Sequence, residues 1–209
     1  MYVLGIDQGI AHLGYAIVCD GELIEYGCLL TKPSQGLEKR FYAIYSKVKE
    51  LMEVYHPSYI SGERLFYTSP MKGNRNKSAS MVYTNMITGI LAAIAGEYSI
   101  ELVTFVPSAV KKAVCGTGKA EKDDIINKIH EMFDVETTKS RHEHICDAIA
   151  IALTCYENKK QEEAENAKKE IETIKEEEEK AKEVELKKKA TKTKKQSSSR
   201  KKKADNAKK

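Results

Sequence analysis

The stretch YVLGIDQGIAHLGYAIVCDGELIEYGCLL, residues 2–30, decides the fold of this chain. Residues 2–6 are a short apolar run that ends at Asp7, which predicts a buried strand followed by a tight turn. Two further apolar runs, residues 15–19 and 23–30, are separated by Asp20 and Gly21, a dipeptide typical of hairpin turns. We therefore predict three antiparallel strands at the start of the chain.

The segments that follow alternate between helical and strand patterns. Apolar residues from Leu37 to Leu51 recur at helical spacing, and Pro57 follows the end of this pattern. Further elements are predicted as strands at 59–63 and 100–105 and as helices at 78–97, 107–114, 121–132 and 142–156. This order predicts an α/β domain with a mixed five-stranded sheet and helices on both faces.

Composition divides the chain into three parts. Residues 1–156 mix apolar runs with glycines and turn residues, as expected for one globular domain. From Glu157 onward Lys, Glu and Ala dominate and no aromatic residue occurs, so this part has too little apolar surface to form a core. We predict a charged, helix-forming extension at 157–186 and a basic, disordered tail at 187–209.

The net charge of +4 is unevenly distributed over these parts. Residues 1–156 carry 16 Lys and Arg against 18 Asp and Glu, residues 157–186 carry 7 against 12, and residues 187–209 carry 12 against 1. The basic character therefore belongs to the tail, and such an arm is attracted to polyanions such as nucleic acid.

Cysteine usage and hydropathy predict an intracellular protein. The five cysteines form no CxxC pair, which argues against a zinc knuckle or a redox motif and favours free thiols in a reducing compartment. The chain reaches Asp7 before any hydrophobic leader develops, and no apolar run approaches the roughly 20 residues that span a bilayer. We expect a cytoplasmic protein that does not bind membranes.

Three acidic residues lie either within an apolar helix, where a charge is costly to bury, or at the end of a strand, where catalytic side chains often lie. Asp147 lies in the most apolar helical stretch, with His144 three residues earlier on the same face, while Asp7 and Glu63 follow the first and fourth strands. Carboxylates that converge repel one another unless a cation neutralises them, and carboxylate oxygens with one imidazole suit Mg²⁺ or Mn²⁺. Two such ions promote phosphodiester hydrolysis. His142 and Glu143 face other directions and are expected to be surface residues.

Five stretches carry a family resemblance. They are LGIDQG at 4–9 with Gly14 and Tyr15, GERLF at 62–66, NKSA at 76–79, VPSAVKKAVCGTGKAEK at 106–122 and HICDAIA at 144–150. With these stretches in this order, the chain resembles RuvC-type Holliday junction resolvases, which are crossover junction endodeoxyribonucleases with the ribonuclease H-like fold.

The resemblance implies a set of site residues. The catalytic, metal-binding residues would be Asp7, Glu63, His144 and Asp147, holding two Mg²⁺ ions per site, with Mn²⁺ able to substitute. The DNA-binding residues would be Phe66 near the junction crossover, with Tyr67 as a substitute, Arg75 and Lys77 in a basic loop, and Lys111 and Lys122 at scissile-strand phosphates. The helix at 78–97 would build a homodimer, and the protein would act at the nucleoid.

The expected function is cleavage of four-way DNA junctions by symmetric paired nicks. Two alternatives stay open on the sequence: a nuclease relaxed toward forks and flaps, which the basic loop and tail motivate, and a non-catalytic junction-binding protein. Cut-site preference, the need for a branch-migration helicase partner, and direct metal binding by His144 are also open.

Overall fold

The computed structural model describes the backbone of residues 1–64, 75–136 and 139–206 and the side chains of residues 1–64, 81–136 and 141–175. Phe66 and Tyr67 lie outside the described residues, and so do the side chains of Arg75 and Lys77. The DNA-binding roles predicted for these four residues therefore stay predictions.

The described residues form five strands and five α-helices. The strands are β1 (Tyr2–Gln8), β2 (His12–Cys19), β3 (Glu22–Leu30), β4 (Tyr59–Glu63) and β5 (Glu101–Phe105). The helices are α1 (Leu37–Tyr55), α2 (Arg75–Glu97), α3 (Pro107–Cys115), α4 (Lys122–Met132) and α5 (Lys139–Asn206).

The strands form one mixed sheet in the order β3-β2-β1-β4-β5. The pairs β1–β2 and β2–β3 are antiparallel, whereas β1–β4 and β4–β5 are parallel. The predicted mixed five-stranded sheet is therefore confirmed. Two strands are longer than predicted, because pairing of Asp7 with Gly14 and of Gln8 with Leu13 continues the ladder and confines the turn to residues 9–11.

Strand alternation directs successive side chains of β1 to opposite faces of the sheet. Leu4 and Ile6 pack in a core with α1 and α2, whereas Val3 packs in a second core with residues of α3, α4 and α5. The predicted placement of helices on both faces is confirmed. The same alternation puts Asp7 on the α5 side of the sheet and Gln8 on the α2 side.

Helix α5 lies unusually close to the first two strands. A Cβ atom on Gly5 would overlap the carbonyl oxygen of Ala148, and one on Gly14 would overlap that of His144. Glycine at these two positions thus allows the helix backbone to approach the sheet directly. The close approach brings His144 and Asp147 to the part of β1 that carries Asp7.

The chain divides into two units, Met1–Lys159 and Lys160–Lys209. The described side chains of the second unit, residues 160–175, are all exposed, in agreement with their polar composition. Its backbone is helical to Asn206, including residues from 187 onward where the sequence predicted disorder, and the abundance of Lys and Ala accounts for the helix. The boundaries predicted at residues 156 and 186 stay predictions.

Among the described residues, no helix is both long enough and apolar enough to cross a membrane.

Candidate active site

Three carboxylates converge on one cavity at the C-terminal ends of two parallel strands. Asp7 lies near the end of β1 and Glu63 is the last residue of β4, and the register of Ile6 with Gly62 sets these two acids side by side. Asp147 reaches the same place from α5. All three line a cavity of about 390 Å³, so the convergence expected from the sequence is present in the fold.

Burial and repulsion between neighbouring charges raise the pKa of two of the three carboxylates. Burial, followed by the charge of Asp7, raises the pKa of Asp147 to about 6, while Lys122 and His144 oppose the rise. Burial and Asp7 also raise the pKa of Glu63 above its usual range, against the opposing charge of Lys122. The charge of Asp7 is the second cause of both shifts, after burial, so the carboxylates repel one another within the cavity. A cation bound here would relieve this repulsion.

His144 contacts the carboxylate of Asp7. Its Nδ1 lies 2.6 Å from Oδ2 of Asp7, and this hydrogen bond raises the pKa of His144 above its ordinary value despite the opposing effect of burial. The imidazole also stacks on His12, with ring centroids 4.9 Å apart and planes 8° from parallel. Sequence analysis missed His12, because it placed the start of the second strand at Tyr15.

Two lysines line the same cavity as the carboxylates. Lys111 comes from α3 and Lys122 is the first residue of α4. The Nζ of Lys122 forms an ion pair with Glu143 of α5, an acid that the sequence predicted to be an uninvolved surface residue. Glu121, the N-cap of α4, also lines the cavity and was not among the predicted site residues. The cavity therefore brings carboxylates and lysines together, a combination that can bind both a cation and a phosphate.

Gln8 supports the site from the opposite face of the sheet. Its side chain is 2 % exposed, and its Oε1 accepts a hydrogen bond of 2.9 Å from the backbone N–H of Glu63. Its Nε2 donates to Oγ1 of Thr88 on α2 at 3.0 Å. The sequence could have indicated this role, because Gln8 is an amide residue directly after Asp7 in a buried strand. Strand alternation turns its side chain away from the cavity.

A profile described as "Crossover junction endodeoxyribonuclease RuvC" matches residues 3–155. The protein of that name from Alkaliphilus metalliredigens is 32% identical over 157 residues, which cover 73% of this chain and 91% of the relative. The one from Prochlorococcus marinus is 28% identical over 158 residues, covering 74% and 97% of the two chains.

Solved structures agree with these sequence comparisons. Thermus thermophilus RuvC in complex with a Holliday junction substrate aligns with a TM-score of 0.63 at 26% identity, over 74% of this chain and 92% of that chain. The yeast mitochondrial Holliday junction resolvase Ydc2 aligns with a TM-score of 0.50 at 17% identity, over 73% of this chain and 76% of that chain, which is a likeness of fold.

Proposed function

This chain belongs to the RuvC family of crossover junction endodeoxyribonucleases, and from that membership we propose how it resolves Holliday junctions: as a homodimer making symmetric paired nicks, with two Mg²⁺ ions in each active site. The observation that carries the proposal is the single cavity lined by Asp7, Glu63, Asp147, Lys111 and Lys122. A four-way junction as substrate also implies work at the nucleoid.

The donor set of the cavity fits hard divalent cations. Three carboxylates supply the oxygen ligands that Mg²⁺ and Mn²⁺ prefer. Burial and the charge of Asp7 raise the pKa of Glu63 and of Asp147, so a bound cation would help to keep all three groups ionised. Asp7, Glu63 and Asp147 would hold the ions between them. When bound, such ions activate the attacking water and neutralise charge on the leaving oxygen.

The other side chains of the site position the Asp7 carboxylate and neutralise the negative charge of the phosphate. His144 holds the Asp7 carboxylate by its Nδ1, and from this position it would be able to contact a bound cation or to accept a proton in the reaction. Lys111 and Lys122 line the same cavity as the carboxylates, where they can bind the non-bridging oxygens of the scissile phosphate and stabilise the charge that develops there.

The dimer proposal rests on an exposed face of α2. Val82 and Met86 are 55% and 50% exposed, and the small residues that continue their stripe along the helix, Gly89, Ala93 and Gly96, are exposed as well. An apolar stripe with small residues allows two helices to approach closely, and contact through one shared patch generates a two-fold axis. Two sites related by such an axis match the two strands of like polarity that a resolvase cuts.

The central test is Asp7→Asn. This change keeps the shape of the side chain but removes one of the three charges that would hold the ions, so we expect cleavage of a synthetic four-way junction in Mg²⁺ to fall by at least about 10³-fold. Junction binding in Ca²⁺ or without metal should remain, since the lysines are untouched.

The matched control is Asp134→Asn, which neutralises an exposed aspartate away from the cavity and should leave both cleavage and binding unchanged. Cleavage by Asp7→Asn at the wild-type rate would overturn the assignment of the site.

A further inference from the structure

A second group of ligand-type side chains lies on the reverse side of α5 from the active site. His130 comes from the last turn of α4, and His142 and Cys146 come from α5. Their ligand atoms all lie within 4.8 Å of one another. The Nε2 atoms of the two imidazoles face each other, with ring centroids 4.6 Å apart and planes inclined by 52°. A group of three ligand atoms this compact can share one ion.

The group is distinct from the catalytic cavity. His142 and Cys146 are four residues apart and therefore share one face of α5, separated by only about 40° around the helix axis. At about 100° per residue, His144 and Asp147 lie on roughly the opposite face. None of His130, His142 and Cys146 lines the cavity that holds the carboxylates. An ion bound by this group would therefore be additional to those used in cleavage.

The donor chemistry selects a different class of metal. Two imidazole nitrogens and one thiol sulfur are borderline to soft ligands, which suit Zn²⁺ and are poor ligands for Mg²⁺. Cys146 is fully buried and His130 is exposed, so the group is open to solvent on one side, where a water molecule can provide the fourth tetrahedral ligand.

We propose that His130, His142 and Cys146 form a Zn²⁺ site that ties the end of α4 to α5. Coordination replaces the thiol proton of Cys146, which passes to solvent as the zinc–sulfur bond forms. The ion pair of Lys122 with Glu143 already joins the start of α4 to α5. With zinc at the other end, α4 is held at both ends, and the end that carries Lys122 into the catalytic cavity is fixed relative to the helix that carries Asp147.

The test uses the full chain, stripped of metal and titrated with Co²⁺ as a spectroscopic substitute for Zn²⁺ in the presence of excess Mg²⁺. Cobalt bound to a thiolate gives a sulfur-to-metal charge-transfer band in the near ultraviolet, which carboxylate ligands do not produce. We expect this band to saturate at one Co²⁺ per chain, to disappear when Zn²⁺ is added, and to be accompanied by a rise of Tm with Zn²⁺.

Two variants remove ligands and three serve as controls. His130→Ala, at an exposed position that tolerates truncation, and Cys146→Ser should both lose the band and the Zn²⁺-dependent rise of Tm. Cys155→Ser removes another buried cysteine of α5, His56→Asn removes an exposed histidine, and both should behave as wild type. Asp7→Asn should also keep the band, since it alters only the catalytic site.

Each outcome either supports or contradicts the zinc site. A wild-type protein without the band, a His130→Ala or Cys146→Ser variant that titrates as wild type, or loss of the band in Cys155→Ser would each overturn the zinc site. None of these results depends on junction cleavage, so the inference stands or falls independently of the proposed nuclease mechanism.

Discussion

Asp147 carries a carboxylate into a helix whose adjacent residues, Cys146 and Ala148, are fully buried. The structure contains no positively charged residue in direct ionic contact with it among the described residues, and its pKa rises to about 6 because of burial and the charge of Asp7. Such a group destabilises the metal-free protein when it is ionised and becomes useful only when a cation binds. Metal binding and folding stability should therefore be coupled at this residue.

Asp147→Asn tests that coupling. The folded protein holds the Asp147 proton more tightly than the unfolded chain, so metal-free wild type loses stability as pH rises from 3.8 to about 6, and the full penalty is present at neutral pH. The rise in pKa corresponds to an upper estimate of about 3 kcal/mol, so we expect the variant to be more stable by about 1–3 kcal/mol near neutral pH in EDTA. Below about pH 4 the two proteins should have the same stability.

Urea denaturation in EDTA and in Mg²⁺ measures this effect. His144 contributes in the same direction, because its raised pKa gives stability that is present at low pH and lost as pH rises through the folded-state value. The comparison of variant with wild type removes most of this contribution, because its largest cause is the hydrogen bond to Asp7, which both proteins keep, and the charge of Asp147 is a smaller cause. Mg²⁺ should stabilise the wild type more than the variant, and a variant that is less stable than wild type in EDTA near neutral pH would contradict the argument.

Gln8 offers a second test at the residue scale, because it positions Glu63 without lining the cavity. Gln8→Leu leaves the buried N–H of Glu63 without its acceptor, which costs about 1–3 kcal/mol of stability and loosens the end of β4. We expect cleavage to fall by about tenfold or more, with an increased Mg²⁺ requirement and unchanged junction binding.

Thr88→Val is the matched control for Gln8. It removes the hydroxyl that accepts from Nε2 of Gln8 but leaves the bond to Glu63 in place. A loss of stability without a change in Mg²⁺ requirement is expected for this variant. An equal shift of the Mg²⁺ requirement in both variants would show that Gln8 acts through general stability rather than through Glu63.

These residues show how far the sequence predicts the site. Asp7, Glu63 and Asp147 were predictable because a carboxylate beside an apolar run is costly and needs a reason. Gln8 and His12 were not, because their roles depend on strand lengths that the ladder between β1 and β2 determines. Glu143 was predicted to be uninvolved from its helical face, yet it reaches Lys122 because α4 begins beside it.

At the scale of elements, helix α2 combines two surfaces with different tasks. Ile87, Leu91 and Ile94 are fully buried against the sheet, whereas Val82 and Met86 face outward. Periodicity in the sequence identified the helix, and the fold adds that its small residues Gly89, Ala93 and Gly96 are left exposed in one stripe with Val82 and Met86. What covers the stripe depends on a second chain, which no pattern within one chain can establish.

Met86→Arg tests the proposed dimer. A charge in the centre of the exposed stripe would be buried without a partner if two α2 helices pack together, so we expect a monomer in sedimentation equilibrium at low micromolar concentration. The monomer should nick single strands of a junction and lose coordinated paired cleavage. Val54→Arg on α1, at a side chain that is 61% exposed, is the control and should stay dimeric. A dimeric Met86→Arg would place the interface elsewhere.

At the scale of the whole molecule, charge is separated between the catalytic unit and the tail. Residues 1–156 are slightly acidic, with 16 basic against 18 acidic side chains, although the unit must bind a polyanion. The tail from residue 187 carries 12 basic residues against 1 acidic residue. We therefore expect attraction over a distance to come from the tail, and contacts of Lys111 and Lys122 to be confined to the cavity that they line. Composition alone established this separation, because net charge does not depend on the fold.

Deletion of residues 187–209 tests this division of tasks. Each phosphate contact that is lost lowers the slope of log affinity against log salt concentration by about 0.9, so we expect weaker junction binding at low salt and a shallower slope. Cleavage at saturating DNA and Mg²⁺ should be unchanged, because the carboxylates and cavity lysines remain. A chain with residues 187–209 in shuffled order keeps the charge and should bind as wild type, since counter-ion release depends on charge rather than on sequence. If the shuffled tail instead weakened binding as much as the deletion, the tail would have to recognise a specific partner surface, and its charge would be incidental to that contact.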